Sequence, residues 1–129
     1  MVTTILTKEM IEAGASLLKK LDDKGVQPDA AFWFYFPDLQ RWKLVLAEVK
    51  LGSTGPREIY SRIQEVLSQF TQELKDLSLD SITLAKPDAP IVSLLRVAIK
   101  TGPAITGIRF TNNVINGVVI EDAYIYRLQ

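Results

Sequence analysis

The 129-residue chain contains neither cysteine nor histidine. The first absence excludes disulfides, thiolate nucleophiles and thiolate zinc sites; the second excludes imidazole ligation of zinc or haem and every Ser-His or Cys-His relay. Charge of one sign is also lacking: 15 basic and 15 acidic side chains cancel, so nothing gives the chain the basic footprint of a nucleic-acid or anionic-membrane binder. Residues 1–52 alone carry seven charges of each sign, which leaves no basic arm or acidic tail. No apolar run approaches the roughly 18 residues of a membrane helix, and Met1–Lys8 has no basic stretch leading into an apolar one. The expectation is a soluble, cytoplasmic protein with no membrane partner. Repeats, low-complexity tracts and long Gly/Ser/Pro linkers are missing too, so residues 1–129 are read as one domain, long enough to bury its own core.

What is present is a sequence 47% hydrophobic with clear punctuation. Thr7 can cap a first helix that has Glu9 and Glu12 early, Lys19, Lys20 and Lys24 late, and Gly25 as its stop. Met10, Gly14, Leu17 and Leu21, flanked by Ile11 and Leu18, form its apolar stripe and leave the lysines in water. Ala30–Phe36 and Trp42–Leu51 read as strands joined by a turn over Pro37–Arg41. Gly55-Pro56 opens a second helix with Ile59, Ile63, Val66 or Leu67, Phe70, Leu74 and Leu77 at helical spacing. Leu79–Ala85 is a short strand, and Asp88 caps a third helix through Leu94, Leu95 and Ala98, closed by Gly102. Ile105–Thr111 and Val118–Leu128 form a final hairpin, with Asn112-Asn113 or Asn116-Gly117 at its turn. The order α-β-β-α-β-α-β-β predicts an α+β fold, a mixed sheet of about five strands with three helices packed on it.

In the first strand, Phe32, Phe34 and Phe36 share one face while Trp33 and Tyr35 share the other. Each aromatic buries on the order of 150 to 250 Å², so both faces need cover. A central strand between other elements supplies it. A sharper reading makes one face a homodimer surface or an apolar ligand groove, with Trp33, Tyr35 and Trp42 meeting the partner.

One constellation carries chemistry. Folding the hairpin about residues 38 and 39 sets Asp29 opposite Glu48, with Lys50 two residues further along. Two carboxylates can hold Mg²⁺ through oxygen, and an adjacent lysine can position or activate water. Pro28-Asp29 followed by Glu48-Val49-Lys50 and a helix resembles the PD-(D/E)xK nuclease superfamily over, at most, residues 7–85. The resemblance implies a metal-dependent nuclease with Asp29 and Glu48 as metal ligands, Lys50 near the attacking water, and Glu9 or Glu12 as a further acidic group. Pro37-Asp38 also matches the motif but falls in the turn. In a second resemblance, the apolar strand, the Gly55-Pro56-Arg57-Glu58 helix start and the closing Tyr124-Ile125-Tyr126-Arg127 strand are similar to small uncharacterised bacterial proteins; no function comes with it.

Other features read as structure first. Gly52-Ser53-Thr54-Gly55 could cradle an anion but lacks the P-loop lysine. Asp122 lies on the expected Val118, Ile120, Tyr124 and Tyr126 face, where a carboxylate guards a sheet edge or accepts a tyrosine hydroxyl bond. The primary expectation is a non-enzymatic α+β domain that acts through protein association, as a homo-oligomer or with a protein partner and without a cofactor. The alternative is the Mg²⁺-dependent nuclease using Asp29, Glu48 and Lys50.

Overall fold

The computed structural model describes residues 5–50, 56–86 and 89–129, with the backbone alone at 48–50 and 56. Helix α1 spans Lys8–Asp23, strands β1 and β2 span Gln27–Phe36 and Arg41–Lys50, and helix α2 spans Pro56–Gln69. A 3₁₀ turn at Leu79–Ser81 leads into β3, Ile82–Ala85; α3 is Pro90–Ala98, and β4 and β5 are Ile108–Ile115 and Val118–Leu128. The expected α+β fold and element order are both present.

The ends of α1 follow from local chemistry. Thr7 Oγ1 accepts the Met10 N–H at 3.1 Å. At the other end Gly25 adopts φ 79°, which lets its N–H reach the Asp22 carbonyl and the Val26 N–H reach that of Leu21. This is the double closure a left-handed glycine permits. The turn after β1 uses Gln40 at φ 50°. Asn116 at φ 49° and Gly117 at φ 79° form the last hairpin turn, so the second asparagine dipeptide is the one used. Asn112-Asn113 lies inside β4.

The sheet runs β3-β2-β1-β5-β4, antiparallel except for the parallel β2–β3 pair. Helix α2 is the crossover that parallel pairing requires. Helices α1 and α2 cover one face, burying Leu17, Leu21, Ile63 and Val66 against Ala31, Trp33, Leu44 and Leu46. Helix α3 covers the other, packing Val92 and Leu95 against Phe32, Phe34, Val45 and Ile125. β1 is the middle strand, and both of its faces are buried: Phe32 and Trp33 are fully enclosed.

Several boundaries differ from the sequence pattern: β1 begins at Gln27, β3 only at Ile82 after the 3₁₀ turn, and β4 runs on to Ile115. Regular helix in α2 stops at Gln69, and Leu74 and Leu77, though still buried, are reached through turns that fold around Lys20. That ammonium sits 4.1 Å from the Phe70 ring centroid and 2.9 Å from the Glu73 carboxylate, so Lys20 is covered rather than left in water like Lys19 and Lys24. Helix α3 stops at Ala98, well before Gly102, because Ile99 is extended (φ −134°, ψ 136°). The chain then straps onto β5 through Thr101 N–H to Leu128 O and Thr106 N–H to Tyr126 O, both 2.7 Å. The strap delays β4 to Ile108. Asp88, expected to cap α3, lies outside the described residues; Ala89 holds the cap position without a side-chain bond.

Candidate functional site

The β1–β2 register pairs Gln27 with Lys50 and Pro28 with Val49, so Asp29 and Glu48 occupy facing positions, as the hairpin sum implied. The side chains of Glu48 and Lys50, and the whole Gly52–Gly55 segment, lie outside the described residues. Asp29 is half-buried, and its carbonyl accepts the Gln129 N–H at 2.9 Å. Arg127 donates to both Asp22 and the Pro28 carbonyl, which sets this end of the hairpin level with the last turn of α1. Glu9 and Glu12 are therefore not brought to Asp29: they stand ten or more residues up the helix, about 15 Å or further. Among the described residues no group of three or more acidic side chains is placed to hold a metal ion.

The aromatic trio is distributed differently from a contact surface. Trp33 is fully buried and Trp42 is 3% exposed, both under the α1 and α2 layer. Trp33 is fixed there by its indole N–H, which donates to the Tyr126 hydroxyl at 3.0 Å; that hydroxyl donates in turn to the Ile11 carbonyl at 2.5 Å. Gly14 makes the approach feasible, since a Cβ there would collide with the Tyr126 oxygen. Burial raises the Tyr126 pKa. Of the three expected contact residues only Tyr35 retains partial exposure. It lines an open cleft of about 280 Å³ with Trp42, Thr111, Asn112, Glu121 and Asp122.

Sequence reasoning missed two arginine–carboxylate forks. Arg127, 4% exposed, grips Asp22 at 2.6 and 3.1 Å while its remaining donors reach the Pro28 and Pro103 carbonyls at 3.0 and 2.8 Å. A β-bulge permits this, because the β1–β5 register shifts between Ala31 and Phe32 and leaves Tyr126 as the extra residue. The available signal was weak: an arginine set between Tyr126 and Leu128 in an otherwise apolar strand end. The second fork joins Arg109 to Asp122 with two bonds of 2.7 Å, and Thr111 adds a third to Asp122 at 3.3 Å. Those hydrogen bonds raise the Arg109 pKa further, and the guanidinium lies 5.6 Å from the Trp42 ring centroid. Asp122 thus answers an arginine rather than a tyrosine hydroxyl.

The Asp122 face also differs from simple alternation. Ile120, Ala123 and Ile125 all pack on the α3 side, whereas Tyr124 and Tyr126 belong to the opposite layer. The strand therefore changes faces between Ile120 and Ala123. β4 makes the same change at Asn112, φ 51°, with Ile108 and Phe110 on the α3 side before it and Ile115 after it.

Three of the exposed apolar side chains lie near this kink, while Ile5, Leu39 and Val97 stand elsewhere on the surface. Val114 and Val119 are cross-strand partners on one face, 66% and 63% exposed, and Val118, opposite Ile115 on the other face, is 48% exposed. No described helix is long and apolar enough to cross a membrane. Compared with models of protein families, with curated proteins and with solved structures, the chain matches none, so its function has to be argued from these surfaces alone.

Proposed function

We propose that this chain is a non-enzymatic association domain whose contact surface is the β4–β5 end of the sheet. The observation that carries the reading is the cross-strand pair Val114 and Val119, exposed together on one face at the terminal strand. Apolar side chains grouped at an unpaired strand edge lower the free energy on contact by leaving water and by completing the ladder. Trp33 and Trp42 contribute to the core instead. The cytoplasmic setting expected from the sequence is part of this proposal. Light scattering over a wide concentration range tests it. The apparent mass should rise above the 14.4 kDa of one chain, and Val114→Lys combined with Val119→Lys should return it to that value with the circular dichroism spectrum unchanged. A mass of one chain up to the solubility limit overturns the reading.

The facing positions of Asp29 and Glu48 favour a second reading, a Mg²⁺-dependent nuclease. In it Asp29 and Glu48 would hold the cation through oxygen, and Lys50 would orient the attacking water; the metal would supply Lewis acidity. Calorimetric Mg²⁺ or Mn²⁺ binding that disappears in Glu48→Ala would support it, and metal-independent melting without cleavage of any nucleic acid would remove it.

A further inference from the structure

The two edges of the sheet are built differently. β3 has four residues, and its Leu84 N–H is already taken by the Tyr60 hydroxyl at 3.1 Å. Lys86 follows directly. A short strand, a side-chain cap and a flanking lysine are all devices that discourage strand addition. β4 has eight residues and no lysine or proline. Its single charge, Arg109, is met from within by Asp122. Among the described residues, the hydrogen bond along this edge outside the ladder with β5 is the one from the Asn113 side chain to the Thr111 carbonyl at 3.2 Å.

The Asn112 kink selects what can pair there. A regular strand alternates faces without interruption, so along β4 it would match faces on one side of Asn112 and mismatch them on the other. β5 stays in register with β4 from Ile108 to Ile115 because it changes faces at the facing position, between Ile120 and Ala123. The same requirement applies to any strand on the outer edge. A second copy of β4 carries the required kink.

We propose that β4 pairs antiparallel with β4 of a second copy of this chain, about a dyad between Thr111 and Asn112. In this arrangement kink faces kink. Ile108 opposes Ile115 of the second copy, Phe110 opposes Asn113, and the aliphatic stem of Arg109 covers Val114, each pair on a matched face. The two Arg109 residues lie five positions apart along the ladder, on the order of 17 Å, which is beyond the roughly 8 Å screening length at physiological salt. The inference rests on the association reading and adds the partner and the register.

The absence of native cysteine makes the test direct. Chains carrying Arg109→Cys and Val114→Cys are mixed and mildly oxidised. The expected product is a covalent dimer containing one of each, at least tenfold above the dimer formed by either variant alone. A second measurement leaves the Arg109 fork intact: Val114→Lys sets like charges opposite each other and should weaken dimerisation tenfold or more, whereas Val114→Asp faces Arg109 and should dimerise at least tenfold more tightly than the lysine variant. If scattering shows a dimer but there is no mixed cross-link and both charges weaken it equally, this register is overturned while the association reading stands. A strictly monomeric protein overturns both.

Discussion

Two arginine–carboxylate forks of similar geometry sit on β5, one at its C-terminal end and one midway along it, and their surroundings give them different work. The Arg127 side chain is 5% exposed and its Asp22 partner 20%; for Arg109 and Asp122 the values are 44% and 23%. The inner fork also fills the carbonyls of Pro28 and Pro103, so it ties α1, β1, β5 and the strap into one corner. The outer fork joins two neighbouring strands, and beyond them the guanidinium meets the face of the Trp42 ring. Water competes for the outer pair and screens it, while the inner pair has few other partners to turn to. The same chemical pair therefore locks a corner of the fold in one place and cancels charge on an exposed strand face in the other.

The contrast can be broken most forcefully at Arg127. Arg127→Ala strands the Asp22 carboxylate and two carbonyls, and should cost about 3 kcal/mol or more in urea unfolding; Arg127→Lys should recover only part of this, since an ammonium lacks the planar fork. Tyr126→Phe, in the same corner, removes the partner of the Trp33 N–H and of the Ile11 carbonyl and should cost about 1 to 3 kcal/mol in the same measurement. At the outer fork, Asp122→Asn should cost about 0.2 to 1 kcal/mol, and the loss should shrink with added salt. A high-salt melt showing equal sensitivity at both forks would erase the distinction.

Alkaline titration separates the two regions again. The folded pKa of Tyr126 is raised above its ordinary 10.0 by burial. The stability this contributes is fully present below pH 10, where the phenol is neutral in both folded and unfolded chains. Above that the unfolded chain ionises first, so stability falls by up to about 1.4 kcal/mol per pH unit until the folded value is passed. Tyr126→Phe should flatten that part of the profile, whereas Asp122→Asn should leave it in place.

Much of the fold was legible from local pattern. Thr7, Gly25, Gly117 and the alternating apolar positions each act within a few residues of themselves, so the elements and their order could be read directly. The facing of Asp29 and Glu48 was legible for a similar reason, because a hairpin's register follows from its turn. The strap was not. Ile99–Thr106 has no pattern that ends α3 early, and its extended course depends on hydrogen bonds to a strand end twenty or more residues away. The aromatic run was correctly read as needing two covers, but which elements supply them depends on strand order, and the helices consumed Trp33 and Trp42.

The missing cysteine and histidine, the cancelled charge and the aromatic strand were determined by the sequence itself, because composition and period-2 alternation are properties of the chain alone. Tertiary structure decided which arginine is buried, which asparagine turns a hairpin and which kinks a strand, and which valines stay in water. Each of those outcomes depends on what lies opposite across the sheet, and local sequence does not contain that neighbour.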